Sequence, residues 1–453
     1  MAYSINQTSI GLRGSYDDLI YVVEDTLNTG QPKYRYACSV NIDGTTVADS
    51  KGILRQLPNN ADCAVFNPRI IAAQFVKPDE NKWFLGQSEG NLLSTNTSAF
   101  KTVTIQFGYQ YAANASLEPV LTLLPETNQT VQLVSGNFTL PTSTIIETTD
   151  SASYVPDDAN ALFLSDAVLV GGVYQNYVVY DTGKISWAAL AFINTSDSLA
   201  TYIRIRYFNE ATQLTSTEIE NSVANGGAPP SGVSTDTERL LYLGVGTGNL
   251  EGYTGQSSPA NPANGGWTHY DITLLDGALG NAVSATYRFN RLDCNRFQQA
   301  GEFYTLHWWN SKGGLDSLVF NAKSQLSQSI NRTDYRQIGG NSYDANGNGV
   351  DYNKYSYEGG KTQSNSITTT TFKLNTAFGN PETLSPLMMS LMNSERVYMT
   401  GSDDYGTNST GSDKNKAVRV VVSDTSYQRK TSVSDGLTSY EVQVEISRLR
   451  PTR

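Results

Sequence analysis

The chain of 453 residues carries 43 Asp and Glu against 32 Lys and Arg, a formal charge of −11, and only 17% of its residues are charged. At about 150 residues per domain this length predicts two to four domains, and 39% apolar residues exclude a disordered chain. The acidic balance excludes a surface built on phosphate contacts, which needs clustered Lys and Arg, yet it suits a wall that DNA slides past without being held.

The opening run MAYSINQTSIGLRGSYDD has neither a basic stretch nor an apolar core, so no signal peptide is expected there. No segment approaches the ~18 continuous apolar residues of a spanning helix, and no membrane insertion is expected. Cys38, Cys63 and Cys294 are odd in number and far apart, which favours free thiols made in a reducing cytosol over a Cys38–Cys63 bridge.

Period-2 alternation then runs through the chain and predicts strands nearly throughout. Tyr34, Tyr36, Cys38, Val40 and Ile42 share one face, with Asp43-Gly44 as a hairpin turn. Val103, Ile105, Phe107, Tyr109 and Tyr111 repeat the pattern, as do Ile203, Ile205 and Tyr207 with Arg204 and Arg206 opposed. Val283, Ala285, Tyr287 and Phe289 follow. Next comes a strand pair around Leu306 and Val319 flanking Gly313-Gly314. Tyr440, Val442, Val444 and Ile446 alternate near the end.

One helix stands out near 382–394, with Leu384, Leu387, Met388 and Leu391 as its apolar stripe. The fold class is therefore all-β, mainly antiparallel, as several β-sandwich modules of immunoglobulin/fibronectin-like and tail-protein-like kind, with one short helix in the last. The turn-rich runs place modules at 1–112, 113–330 and 331–453, the second long enough for two sandwiches. The polar loops at 220–238, 336–360 and 402–416 are expected to face neighbours or solvent.

Candidate chemistry is sparse. Gly86-Gln87-Ser88-Glu89-Gly90 fits a nucleophile elbow, but no helical period follows it, and His269 and His307 are the only histidines. Asp344, Asn346 and Asn348, with Asp351 beyond, begin like a calcium loop, but Tyr355 stands where a bidentate Glu belongs. They make weak calcium candidates beside the simpler reading as a solvated turn. Gly244, Gly246 and Gly248 miss both phosphate-loop spacings and read as a loop. Neighbouring carboxylates such as Asp17-Asp18 point to opposite faces of a strand and make no acid–base couple. No cofactor or firm metal site is called for, and the chain is not expected to be an enzyme.

Interface candidates come from side chains enriched in contacts. Met388, Met389 and Met392 crowd the helix, and Trp308-Trp309 lie adjacent on a strand, one indole predicted in the core and one at a surface. The tyrosines, 27 in all, read as core packing first, with subunit contacts or sugar-stacking platforms as alternatives.

Three segments carry a family resemblance. KYRYACSVNIDGTTVADSKGILRQLPNNADCAVFNPRIIAAQF, FYTLHWWNSKGGLDSLVFNAKS and the run from TTTTFKLNTAFGN through LMNSERVYMT to TSYEVQVEIS cover about a third of the chain. They resemble structural proteins of tailed bacteriophages, of the tail or connector-ring or tail-hub type, especially those of phages infecting Bacteroidota. The pattern departs at the Asn/Gly insertion around Asn346 and at 402–416. The resemblance implies a virion building block made in the host cytoplasm, partnered by copies of itself and other virion proteins, with no catalytic residues. The alternatives are a host-glycan-binding fibre or tail-tip protein, favoured by an exposed aromatic row, and an enzyme on surface polysaccharide, which needs two carboxylates across a groove.

Overall fold

Strict alternation builds the N-terminal sandwich. The computed structural model describes residues 3–8, 11–43, 45–46, 53–59, 61–78, 93–95, 98–136, 163–181, 184–194, 200–221, 239–251, 266–292, 303–337, 341–343, 349–352, 360–401, 417–423, 438–446 and 450–451. In it, Arg35–Ile42 pairs antiparallel with Phe100–Tyr111, whose far edge takes Gln129–Val134. The inward set Tyr36, Cys38, Val40, Val103, Ile105, Phe107, Val131 and Leu133 packs against Tyr21 and Val23 of a small facing sheet made of Tyr3–Gln7, Tyr21–Asp25 and Cys63–Phe66. Tyr109 and Tyr111, predicted on the same face, are partly buried and close its rim.

The remainder shares one large core. A seven-stranded sheet contains, in order, Leu169–Val170, Val173–Asp181, Thr286–Leu292, His269–Leu275, Tyr202–Asn209 and Thr212–Glu220, with Lys184–Ile185 beside Val173–Asp181. An eight-stranded sheet runs Leu315–Phe320, Tyr304–Trp309, Val397–Gly401, Val418–Val422, Glu441–Ile446, Gly360–Asn375, Gln325–Gln337, with Arg450–Pro451 alongside. Side chains of both sheets meet in a single cluster from Phe163 to Val444.

Between the bodies lies a three-stranded sheet of Ala189–Asn194, Arg239–Gly244 and Leu93–Thr95. Leu241 and Leu243 point into the large core, while Leu240 and Tyr242 point the other way, onto Ala99, Val134, Leu164 and Trp309. A strand buried on both faces needs a continuous apolar run rather than alternation, which is why LLYL is unbroken.

The structure is all-β and mainly antiparallel, as the sequence predicts, with several packed sheets. Among the described residues two parallel pairs interrupt the pattern: Gly11–Gly14 beside Gln129–Val134, and Val173–Asp181 beside Thr286–Leu292. The helix is Pro381–Asn393, capped by Asn380, whose side chain accepts from the Glu382 backbone N–H at 2.9 Å. Its predicted stripe of Leu384, Leu387, Met388 and Leu391 is buried. Among the described residues the short helical turns Arg69–Ala72, Ala73–Phe75, Pro125–Thr127 and Thr247–Glu251 add to it, the last taking up the end of the glycine run that the sequence reads as a loop.

The predicted boundaries need correction. Position 112/113 falls inside the first sandwich, because Phe100–Tyr111 pairs with Val120–Leu123 and Gln129–Val134. Position 330/331 falls inside the strand Gln325–Gln337, and the sheets on either side of it share the large core. The polar run after Arg336 has the sequence of a separator because a hairpin without a buried face has the composition of a linker. It instead joins the paired ends Gln337 and Gly360 and carries the small pair Asn341–Tyr343 and Gly349–Tyr352.

Both indoles are interior, which corrects the expectation of one at a surface. Trp308 is 0% exposed in the large core, and Trp309 is 8% exposed on the opposite side against Tyr242, ring centroids 5.7 Å apart. Strand alternation does send them to opposite faces, but the three-stranded sheet covers the second face. Met388 is buried at 1% exposure and Met389 exposed at 53%. Met388→Ala is expected to lower unfolding stability by about 2–5 kcal/mol and Trp308→Ala by about 3–5. Met389→Ala should change it by less than about 0.5. Urea titration of the three variants checks this order.

Candidate functional site

Two features of the described residues carry chemistry: a buried carboxylate clasp and a projecting arm. The clasp is built on the hairpin Tyr304–Trp309 and Leu315–Phe320, whose connection turns at Gly313 with φ +79°. A Cβ there would lie 1.9 Å from the Ser135 carbonyl oxygen, and one at Gly314 equally close to that of Leu164, so only glycine lets the turn seat against both. Asn310 braces the turn, its side-chain oxygen accepting from the backbone N–H of Lys312 at 3.1 Å and Gly314 at 2.8 Å.

Asp316 sits at the centre, 1% exposed. Its carboxylate accepts from Ser165 Oγ at 2.6 Å, from the Asp166 backbone N–H at 2.8 Å and from Asn310 Nδ2 at 2.9 Å. Asp166 in turn accepts from the Ser311 backbone N–H, from Ser311 Oγ at 2.8 Å and from Ser390 Oγ at 2.6 Å. Ser390 accepts from Trp308 Nε1 at 2.8 Å. The segment 164–166, the hairpin and the helix are thereby tied through two carboxylates. Burial, then the neighbouring charge of Asp166, push the Asp316 carboxyl above its ordinary range, against the hydrogen bonds that pull it down. With every oxygen engaged, the clasp has the chemistry of a structural joint.

His307 lies on the partner strand Tyr304–Trp309, opposite Ser317, fully buried, with Nε2 2.9 Å from Thr400 Oγ1. Burial holds it neutral by lowering its pKa to about 3. His269 stacks on Phe208 with ring centroids 4.9 Å apart, and burial together with Arg288 lowers its pKa. Arg288 is committed to Asp271 through a bidentate pair at 2.7 and 2.9 Å.

The arm is the antiparallel ribbon of Gln325–Gln337 and Gly360–Asn375. Phe372 and Leu374 anchor its base in the large core. From there the outer strand is exposed from Gln325 to Arg336, and at ~3.3 Å per residue its thirteen residues span about 40 Å. Leu326, Ile330 and Tyr335 on it are each about half exposed, at 57, 51 and 49%. The strand ends the sheet order, so among the described residues its outer edge pairs with no strand.

The residues singled out in the sequence are mostly not brought together. Met392 is partly buried against the large core near Met388, and Met389 faces outward alone. Asp344, Asn346 and Asn348 lie outside the described residues, as do the Gly86–Gly90 run, Cys294 and the polar loop 402–416. Asp351 is on the strand Gly349–Tyr352, its backbone opposite Ser342, so strands rather than helices flank that loop. No cluster of three His, Cys, Asp or Glu side chains is placed to hold a metal among the described residues. Cys38 and Cys63 are free, the first buried. Asp17 accepts from the Gly14 backbone N–H while Asp18 pairs with Arg69 at 3.2 Å, so these neighbours do separate work. Among the described tyrosines, Tyr21, Tyr36, Tyr207, Tyr242, Tyr270 and Tyr287 are fully buried in the cores, while Tyr16 and Tyr335 are exposed.

The clasp was missed, although one signal for it exists. Asp316 shares strand parity with Leu318 and Phe320, both in the large core, so an acid stands on a core-facing stripe. A buried acid needs partners, and these come from residues 164–166, too distant in sequence for any local pattern to supply.

No protein-family model and no curated protein matches the chain. Among solved structures, it is similar to the calcium-binding domain CBD12 of CALX1.1, at 8% identity over 64% of this chain and 100% of that one, with a TM-score of 0.18. It is also similar to CBD12 from CALX1.2, at 9% identity over the same shares, with a TM-score of 0.19. Likenesses this slight assign neither ligand nor role.

The two buried titrating groups pull stability in opposite directions with pH. His307, its pKa depressed, contributes stability present above the ordinary histidine value and lost as pH falls toward about 3. Asp316, its pKa raised, contributes stability present below the ordinary carboxylate range and lost as pH rises through its raised value. His307→Gln should therefore flatten the loss of stability on acidification from pH 7 to 4, and Asp316→Asn should steepen it. Urea unfolding across that range reads both slopes.

Proposed function

We propose that this chain is a structural protein of a tailed-phage virion, an oligomeric ring or hub component of the tail or tail–capsid connector. It acts through contacts with copies of itself and with other virion proteins. The observation that carries the reading is the arm, a long ribbon anchored in the core, with an exposed outer strand and an edge left for another chain. The sequence resemblance supports it independently, and the net charge of −11 suits a wall past which DNA travels without being bound. The protein is made in the host cytoplasm and resides in the virion, and the role calls for no cofactor.

The host-glycan alternative would draw on an exposed row of aromatic side chains, Trp309 or tyrosines, and Trp308 and Trp309 are both interior. Its remaining support would have to come from scattered residues such as Tyr16 and Tyr335.

Light scattering of the purified protein at two concentrations tests the proposal. A closed oligomer of defined mass, or one that grows to a fixed mass with concentration, is expected. A strict monomer at both counts against it, and a stable trimer moves the reading to a fibre.

A further inference from the structure

We propose that the outer edge of the arm pairs with the same edge of a second copy of this chain, antiparallel, about a two-fold axis at Thr333.

A free strand edge presents a row of backbone donors and acceptors, and folded proteins usually blunt such edges with Lys, Pro, a bulge or a covering segment. Gln325–Gln337 has neither Lys nor Pro, and the charges it does carry, Arg332, Asp334 and Arg336, are of both signs. The ribbon does contain a register shift, opposite Thr333 and Asp334, but the extra residue is Ser364 on the inner strand. Ser364 Oγ donates to the Thr333 carbonyl at 2.8 Å, which ties the shift down on the inner side. The outer strand therefore keeps an unbroken alternation along its exposed edge.

The charges on this edge are arranged for a copy of itself. In antiparallel pairing, backbone groups facing the edge belong to every second residue, so a two-fold axis passes through a residue and not between two. With the axis at Thr333, Arg332 lies opposite Asp334 of the partner subunit, and Asp334 opposite the partner's Arg332. Two opposite-charge pairs form from one register, while Asn331 meets the partner's Tyr335. Ile330 falls opposite the partner's Arg336, whose methylene stem covers it. Asp334 already contacts Lys361 of its own ribbon, and this places the carboxylate between two cations.

Neighbouring registers fail on the same residues. An axis at Arg332 or at Asp334 sets like charges face to face, which destabilises a sheet. An axis at Tyr335 would oppose Asp334 and Arg336, but keeps only residues 333–337 of the strand in the ladder, where the axis at Thr333 keeps 329–337. The contact is isologous, and it joins with a ring only in dihedral symmetry, where cyclic and two-fold axes coexist. It rests on the arm alone and holds whether or not the pair enters a virion.

Disulfide trapping reads the register. Directly opposed residues on antiparallel strands have Cα atoms about 4.5–5.5 Å apart, within reach of a disulfide. In a background with Cys63→Ser and Cys294→Ser, oxidation of the Thr333→Cys variant is expected to give a covalent dimer, and the Ser329→Cys variant none. In parallel, sedimentation of Asp334→Lys should show self-association weakened about tenfold, and the charge swap Arg332→Asp/Asp334→Arg should restore it. No linkage through position 333 overturns the proposal, as does linkage from Tyr335→Cys in its place or an Asp334→Lys variant that associates like the parent. A ring mass with no linkage at 333 leaves the virion reading standing without the arm contact. A trapped dimer that grows no further does the reverse.

Discussion

The Asp316 carboxylate is the point on which the arrangement of sheets depends. A charge so deeply buried is tolerated only with its oxygens occupied, and the groups that occupy them belong to segments remote in sequence. Ser165 and Asp166 come from the chain entering the central sheet, Asn310 from the hairpin turn, and Ser390, through Asp166, from the helix. Removing the carboxylate strands three donors at once, at about 1–3 kcal/mol for each one left unpaired. Apolar packing alone would tolerate small slides of one sheet over another, whereas directional bonds of this kind fix a single register between layers.

The same hairpin explains why the N-terminal sandwich docks where it does. Its turn presses on Ser135 and Leu164 at distances only glycine permits, and Trp309 behind it completes the small cluster with Val134, Ala99 and Tyr242. The strand Leu93–Thr95 then crosses over to extend the sheet of Ala189–Asn194 and Arg239–Gly244. A polar joint and an apolar cluster thus lie on opposite faces of one strand pair. Directional bonding gives orientation on one face and area burial gives adhesion on the other.

What could be read from the sequence followed the reach of each signal. Alternation at Tyr36–Ile42, Val103–Phe107, Ile203–Tyr207 and Val442–Val444 identified the buried faces, because burial of a strand face leaves a period of two. The helix was legible from its stripe of Leu384, Leu387, Met388 and Leu391. The domain boundaries were not legible. The arm strand QLSQSINRTDYRQ buries almost nothing, so it lacks the apolar period that distinguishes a strand from a linker. Trp309 was misplaced because the sheet that covers it is assembled from strands that all lie more than sixty residues earlier in the chain. The clasp left only the trace of an acid on a core-facing stripe.

Among the described residues the arm strand Gln325–Gln337 joins the rest of its sheet through Gly360–Asn375, and that strand meets the sheet through Glu441–Ile446. Glu441–Ile446 is synthesised after both strands it welds together, and it slots between Val418–Val422 and Gly360–Asn375. Until it arrives, the ribbon is an isolated hairpin, marginal in water by itself. Synthesis of Glu441–Ile446 therefore acts as the step that stiffens the arm, so that a polypeptide stopped short of it does not yet present a rigid edge to its neighbours on crowded polysomes.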